Sequence, residues 1–409
     1  MKKLLLLLLI IASEKLNAQS GNNIVIGTID SVYSSILKEK RKIWVYVPNS
    51  TGNSIFSIQR YPVVYLLDGD AHFYSVMGMI QQLSEVNGNT VLPEMILVGI
   101  PNTDRTRDLT PTHVSGGPYM DSAFVRTSGG GERFTDFLEK ELIPHIDSLY
   151  PTAPNRTLIG HSFGGLMVVN TLIHHPDLFN SYLAIDPSLW WDKQKLLKES
   201  ETALHSRSFA GKSLFLAIAN TMNAGMDTLR IQKDTSGQSI HIRSILEFSK
   251  LLKRNNGNGL RWTYRYYNDD NHGSVPLIAE YDGFRFIYNF YQFPFSNRLF
   301  DPAFNADSAI ALHFKNISRN MSYNVVPPES LMNSLGYFYM QNKSFDKAYN
   351  IFKRHIDNYP QSFNAYDSMG DLFAAKDDRQ KAIEYYSKAL TIKDYPDTKN
   401  KLEKMKQSK

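Results

Sequence analysis

The sequence predicts an α/β fold, a mostly parallel sheet with helices on both faces, followed by a small all-α unit. Three observations carry this. Short apolar runs alternate with amphipathic ones from Asn23 to Phe293, the pattern of strands buried beneath helices. Within that stretch, Gly160-His161-Ser162-Phe163-Gly164 joins one apolar run to another, so a sharp turn links a buried strand to a helix. Beyond Phe293 the periodicity becomes purely helical and repeats with an offset of 34 residues, from Leu335-Gly336 to Met369-Gly370.

The chain of 409 residues is too long for one ordinary core, and two folded units are expected. Lys2 and Lys3, an apolar core from Leu4 to Ala12 and Leu16-Asn17-Ala18 before Gln19 have the form of a secretory signal over residues 1–18, although Glu14 and Lys15 depart from it. That core is too short to span a bilayer, and no other stretch is long and apolar enough, so stable membrane insertion is not expected. A periplasmic or secreted location is expected. Cysteine is absent, which removes a disulfide framework and a lipoprotein anchor. Loss of Lys2, Lys3, Glu14 and Lys15 takes the net charge from +5 to +3, with no long basic run, so nucleic acid is not an expected partner.

Strands are expected at Lys42–Val47, Pro62–Leu67, Met95–Ile100, Arg156–Ile159, Ser181–Ile185, Ser213–Ile218 and Leu260–Tyr267. Helices are expected at Glu132–Ile143, Gly165–His174 and Ile240–Arg254. Ser128-Gly129-Gly130-Gly131 has the glycines of a phosphate loop without its strand or its Lys-Ser/Thr, and reads as a lead-in to the first of these helices. Residues 19–293 form the first unit. Pro294, Pro302 and Pro327-Pro328 mark a linker over 294–328, and residues 329–409 form the helical unit. There Leu335-Gly336, Tyr339, Ala348 and Phe352 recur as Met369-Gly370, Phe373, Ala382 and Tyr386, while Pro360 recurs as Pro396, displaced by two. This resembles the tetratricopeptide repeat, in which small residues let paired helices touch and aromatics fill the gaps. Two copies fall short of the usual self-standing array of about three. Capping by a helix at Asp394–Lys406, or packing on the first unit, is therefore expected.

The Gly-x-Ser-x-Gly turn has the strand–elbow–helix context that exposes a serine as nucleophile in an α/β-hydrolase. A serine hydroxyl is a weak nucleophile near neutral pH, so Ser162 requires a histidine base, and that base requires a carboxylate to hold its tautomer. In this fold the chain order is Ser, acid, His. His174 and His175 fall on the helix after Ser162, adjacent to one another and so a poor metal pair. His205 and His241 fall in or beside helical segments, and His313 and His355 in the linker and repeats. His272 remains as the base, in the polar loop Asn268-Asp269-Asp270-Asn271-His272-Gly273-Ser274 after the last strand. Asp269 and Asp270 shape that turn. The first carboxylate past the Ser213–Ile218 strand is Asp227, the expected acid, with Asp234 as second choice.

For the oxyanion, the expected donors are the backbone N–H groups of Phe163, after the nucleophile, and of Asp70, which follows the Asp68-Gly69 turn ending an early strand. Asn102–Pro111 and Pro187–Asp192 follow other strands and open on the same sheet edge. Arg105 and Arg107 are placed to grip an anionic or polyphenolic substrate, and Trp190 and Trp191 to stack on a ring, with an internal salt bridge or plain packing as the competing readings.

Taken jointly, Leu67-Asp68-Gly69, Arg107-Asp108-Leu109-Thr110-Pro111, Gly160–Gly165, Pro187-Ser188-Leu189-Trp190-Trp191 and Asp270-Asn271-His272-Gly273 resemble the esterase D family of α/β-hydrolases, nearest its periplasmic, siderophore-esterase-like branch. The resemblance runs from about Asn23 to Tyr291. It implies an ester hydrolase with Ser162 and His272 as nucleophile and base and with no metal or organic cofactor. Some members have a weakly placed or absent acid, which leaves Asp227 open. The expectation is an exported serine esterase acting through an acyl-enzyme on a siderophore lactone, a glycan ester or a related small-molecule ester. An acyltransferase of the same fold and a non-catalytic binding protein, recruiting a protein or peptide through its repeats, are the alternatives.

Overall fold

The computed structural model describes residues 24–48, 55–116, 121–295, 298–301 and 303–407. The leader expected over 1–18 and Pro302 lie outside them. Among the described residues, eight strands form one sheet in the order β1-β2-β4-β3-β5-β6-β7-β8. They are β1 (Thr28–Ser34), β2 (Glu39–Tyr46), β3 (Tyr61–Leu67), β4 (Ile96–Ile100), β5 (Thr152–His161), β6 (Ser181–Ile185), β7 (Ser213–Ala219) and β8 (Arg261–Tyr267). The pairs β1–β2 and β2–β4 are antiparallel, and all pairing from β4 to β8 is parallel.

Parallel neighbours require crossovers, and helices supply them. They are α1 (Gly69–Ser84), the short α2 (Arg105–Asp108) and α3 (Ser122–Val125), and α4 (Gly131–Phe137), which runs through a π turn (Leu138–Leu142) into α5 (Ile143–Leu149). Then come α6 (Phe163–His174), α7 (Trp191–Ser206), α8 (Ile240–Arg254) and α9 (Val275–Ile287). The period of two along β3 sends Tyr61, Val63, Tyr65 and Leu67 into the core shared with α4 to α8, and Val64 and Leu66 into the core shared with α1 and α9. Strands covered on both faces read as continuous apolar runs, which is why the central ones are visible in the sequence. The edge strand β1, Thr-Ile-Asp-Ser-Val-Tyr-Ser, is half exposed and carries no such run. In α8 the buried Ile242, Ile245, Leu246 and Leu252 recur at helical spacing, each burial contributing about 1.5–3 kcal/mol.

The segment 294–328, expected as linker, carries a four-turn helix, α10 (Ala306–Met321). Ile317 and Met321 enter the α/β core while Ala306 and Ile310 enter the helical one, so this segment joins the two units by packing. Two antiparallel pairs follow: α11 (Glu329–Gln341) with α12 (Phe345–Asn358), and α13 (Phe363–Ala375) with α14 (Arg379–Ile392). Gly336 lies against the Phe352 ring and Gly370 against Tyr386, where a Cβ would collide with each ring. The final helix α15 (Pro396–Gln407) covers the second pair. Thr398 donates to Asp367 at 2.7 Å, and Lys401 bridges Asp367 and Asp371 at 2.7 and 2.8 Å. The units are also pinned by Ser57 N–H donating to Glu329 at 2.7 Å and Asn155 donating to the Met321 carbonyl at 3.2 Å. No helix among the described residues is long and apolar enough to cross a membrane.

Candidate active site

The site begins with the register of β5 against β6, which sets His161 opposite Ile185. The residues following each strand, Ser162 and Asp186, therefore stand side by side at the carboxyl edge of the sheet. Both have left-handed backbones, with φ 59° at Ser162 and 41° at Asp186, uncommon for residues with a Cβ and costing about 1–3 kcal/mol each. At the elbow, a Cβ on Gly160 would meet the Gly164 carbonyl oxygen at 2.5 Å, so only glycine lets strand and helix approach. Ser162 N–H donates to the Ile185 carbonyl at 3.0 Å. The Ser162 carbonyl in turn accepts from Leu166 at 2.9 Å and from Ser188 at 3.0 Å. The turn is thus fixed from both sides, with the hydroxyl at the N-terminus of α6.

Asp186 is fully buried. Its Oδ1 accepts from Ala219 N–H at 3.0 Å, and its Oδ2 lies 2.6 Å from His272 Nδ1 and 2.8 Å from His241 Nε2. Burial pushes the Asp186 carboxyl up. The bonds from His241, His272 and Ala219 outweigh it and hold the group well below the usual carboxylate range. His272 sits on a braced loop: Asn271 Oδ1 accepts from Gly273 and Ser274 N–H at 2.9 and 3.1 Å, and the Asp270 carbonyl accepts from Asn220 N–H at 2.8 Å. The His161 ring packs on His272, centroids 4.5 Å apart, and burial followed by the neighbouring His272 and His72 depresses its pKa to about 4. His161 therefore stays uncharged at neutral pH.

Three atoms of a kind that ligate metals, from Asp186, His241 and His272, lie within 4.8 Å of one another. At 2.6 and 2.8 Å the imidazole nitrogens are spent as hydrogen-bond partners of the carboxylate, so the trio is a hydrogen-bonded cluster rather than a ligand set.

Ser162, His272, His241 and Ser188 open into a cleft of about 420 Å³, walled by Phe124, Phe163 and Trp190 with Arg105 and Asp121 at its polar side. Ser162 Oγ lies 3.3 Å from Ser188 Oγ. Arg105 is held by Asp68 at 2.6 and 3.0 Å and passes 5.4 Å over the Phe163 ring. Phe124, more than half exposed, stacks on Phe163 at 6.1 Å.

Asp227 is not the partner of His272: it lies exposed on the excursion after β7, where its Oδ1 accepts from Leu229 and Arg230 N–H, both at 2.8 Å. Asp234 is likewise tied locally, to Ser236. The carboxylate that His272 does meet, Asp186, follows β6, one strand before the β7 excursion on which the acid is expected, and no local pattern in the sequence marks it. Arg107 is not in the cleft. Its guanidinium bonds Asp108 at 2.7 Å and Glu39 at 2.7 and 3.1 Å, fixing α2 to β2 and, with Arg41, holding the Glu39 carboxyl down to about 2. Trp191 is buried behind Phe163, its Nε1 donating to the Thr112 carbonyl at 3.0 Å, so only Trp190 of the pair lines the cleft. Phe163 lines the cleft. Asp70 does not, and its carboxylate accepts from Asn102 at 3.3 Å. Both Phe163 and Asp70 lie in first helical turns, whose N–H groups have no intrahelical partner. His241, set aside as helical, stands at the first turn of α8 facing Asp186.

This sheet order, the elbow at Ser162 and the appended helices define an α/β-hydrolase carrying an all-α C-terminal unit. The chain belongs to the Esterase family, whose model, described as "Putative esterase", matches residues 34–239. It is similar to the solved IroE-like serine hydrolase of Shewanella oneidensis, at 31% identity and TM-score 0.67 over 80% of this chain and 98% of that one. Among curated relatives it is 36% identical to the ferri-bacillibactin esterase BesA of Bacillus subtilis over 155 residues, 34% of this chain and 52% of BesA. It is 26% identical to a siderophore enterobactin esterase of Emericella nidulans over 55% of this chain and 82% of that protein. The chain thus spans about half the length of BesA and most of the Emericella nidulans esterase.

Proposed function

We propose that this protein is an exported serine esterase that hydrolyses a siderophore lactone or related acyl ester through an acyl-enzyme intermediate. The observation that carries the reading is the 2.6 Å bond between Asp186 and His272 at a cleft that also exposes Ser162. In this mechanism Ser162 Oγ attacks the ester carbonyl carbon and gives its proton to His272 Nε2. Asp186, bonded at Nδ1, holds the ring and stabilises the imidazolium. The N–H of Phe163, which lines the cleft, receives the oxyanion, and the N–H of Asp70, in the first turn of α1 beside the cleft lining, is its proposed second donor. His272 then protonates the departing alkoxide, and a water deprotonated by the same nitrogen releases the acid and restores Ser162.

The cleft supports an aryl acyl group: Phe124, Phe163 and Trp190 offer ring faces, and Arg105 a cation beside them. The names of the similar proteins favour a siderophore among such esters. The 34-residue spacing and the Gly336–Phe352 and Gly370–Tyr386 contacts support a reading of the helical unit as tetratricopeptide-like repeats, able to take a peptide or protein partner.

The test is hydrolysis of a short-chain p-nitrophenyl ester, then of a catecholate siderophore trilactone, by the full chain beside Ser162→Ala and His272→Ala. Hydrolysis by the wild type alone supports the reading. Product appearing only when an alcohol acceptor is added assigns acyl transfer instead, and inactivity of the wild type on every ester removes the enzyme reading.

A further inference from the structure

Two histidines, not one, hold the buried carboxylate. Both oxygens of Asp186 are engaged: Oδ1 is taken by Ala219 N–H at 3.0 Å, and both imidazoles converge on Oδ2, His272 at 2.6 Å and His241 at 2.8 Å. The rings cross almost perpendicularly, centroids 5.1 Å apart, so each reaches the oxygen along its own direction. The two come from different parts of the chain, His272 from the loop after β8 and His241 from the start of α8, and both border the cleft.

An ordinary triad gives the carboxylate one imidazole, and the strength of that bond feeds the basicity of the other ring nitrogen. A second strong donor on the same oxygen withdraws charge from it and weakens the first bond. We propose that His241 is a positioning residue which, by sharing Asp186 Oδ2 with His272, moderates the carboxylate's hold on the base and sets the pH range in which the base accepts a proton. The inference rests on the esterase reading for its catalytic consequence and on geometry alone for the shared bond.

The surroundings leave that sharing as the dominant influence on His241. On its own helix, Arg243 is turned away to Ser239 and Ser236, at 2.8 and 2.9 Å, and Asp234 is bonded to Ser236. From β5, His161 packs on His272. From α2 and α3, Arg105 and Asp121 face the same cleft, Arg105 engaged with Asp68. On the His272 loop, Asp270 accepts from Ser274 at 2.9 Å. Among the described residues, Asp186 is the acid in contact with the His241 ring.

Two readouts test this on the full chain, one of which needs no activity. The first is the downfield proton resonance of the His272 Nδ1–H···Asp186 bond, assigned with His272→Gln. The second is the acid limb of kcat/KM for a p-nitrophenyl ester. His241→Phe keeps the ring volume and removes the N–H, with His241→Ala serving where it does not fold. The expectation is a downfield move of the resonance and a shift of the acid limb to higher pH by about half a unit or more, since the undivided carboxylate favours the protonated base. His241→Gln keeps an N–H donor and is expected to restore both toward wild type. An unmoved resonance and limb in His241→Phe, or the same shift in His241→Gln, overturns the proposal. If the wild type hydrolyses no ester, the esterase reading falls and the resonance alone decides the role of His241.

Discussion

Asp186 Oδ2 lies 2.6 Å from His272 Nδ1 although 86 residues separate them, because β6, β7 and β8 are successive neighbours in the sheet and the loop after β8 folds back over the end of β7, where Asn220 N–H donates to the Asp270 carbonyl. Asp227, the carboxylate expected from chain order, bonds only its own turn. Asp186→Asn is therefore expected to lower kcat by on the order of 10³–10⁴ while the fold is retained, by analogy with loss of a triad acid. Asp227→Asn should change kcat less than about twofold, being on the surface. Comparable losses in the two variants, measured on one p-nitrophenyl ester, contradict the assignment of Asp186.

Gly160→Ala is expected to abolish activity and lower the melting temperature. The added Cβ meets the Gly164 carbonyl at 2.5 Å, and neither backbone segment can yield without opening the elbow. A destabilisation of about 1–3 kcal/mol in denaturant titration is the expected size. A fully active, unshifted variant refutes the close strand–helix approach.

Arg105 and Arg107 should separate cleanly. Arg107 ties α2 to β2 through Asp108 and Glu39, so Arg107→Ala is expected to lower thermal stability with KM little changed. Arg105 borders the cleft, so Arg105→Ala should raise KM for an aryl or anionic ester several-fold. Steady-state kinetics beside melting curves distinguish them, and the reverse pattern contradicts the placement.

Glu280 gives a pH signature. It is buried on α9 beside His72, whose Nδ1 is 3.6 Å away, and burial pushes its pKa up to about 8 despite a bond from Ser75. Burial also lowers His72, so the pair is largely uncharged at neutral pH. In the unfolded chain Glu280 ionises near the ordinary glutamate value of about 4.3, whereas the folded protein keeps the proton until about 8. Between those values the native state binds more protons, so this group's contribution to stability is full below the unfolded value and is lost as pH rises toward the folded one. Urea unfolding at pH 5, 6.5 and 8 should show wild-type stability falling relative to that of Glu280→Gln as pH rises, the opposing rise from the neutral His72 and His161 being common to both. Parallel profiles contradict the prediction.

Much of the fold is legible in the sequence for a physical reason. Strands β3 to β7, buried on both faces, read as apolar runs, and the Gly336–Phe352 and Gly370–Tyr386 contacts read as a 34-residue period. The edge strand β1 and helix α10 were invisible: one is half exposed, and the other divides its apolar residues between two cores. At the site, Ser162 and His272 carry local signatures in an elbow and a polar loop. Asp186 and His241 carry none, because their meeting depends on which strands lie side by side. Arg107 and Trp191 show the opposite failure: each belongs to a segment beside the site yet turns into the scaffold, Arg107 to Glu39 and Trp191 to Thr112.

Ser162 as the nucleophile is decided by treating the full chain with a fluorophosphonate and mapping the adduct by peptide mass spectrometry. The expected result is one adduct, on Ser162, absent in Ser162→Ala and much slower to form in His272→Ala. An adduct on another residue, or ester hydrolysis that persists in Ser162→Ala, contradicts it.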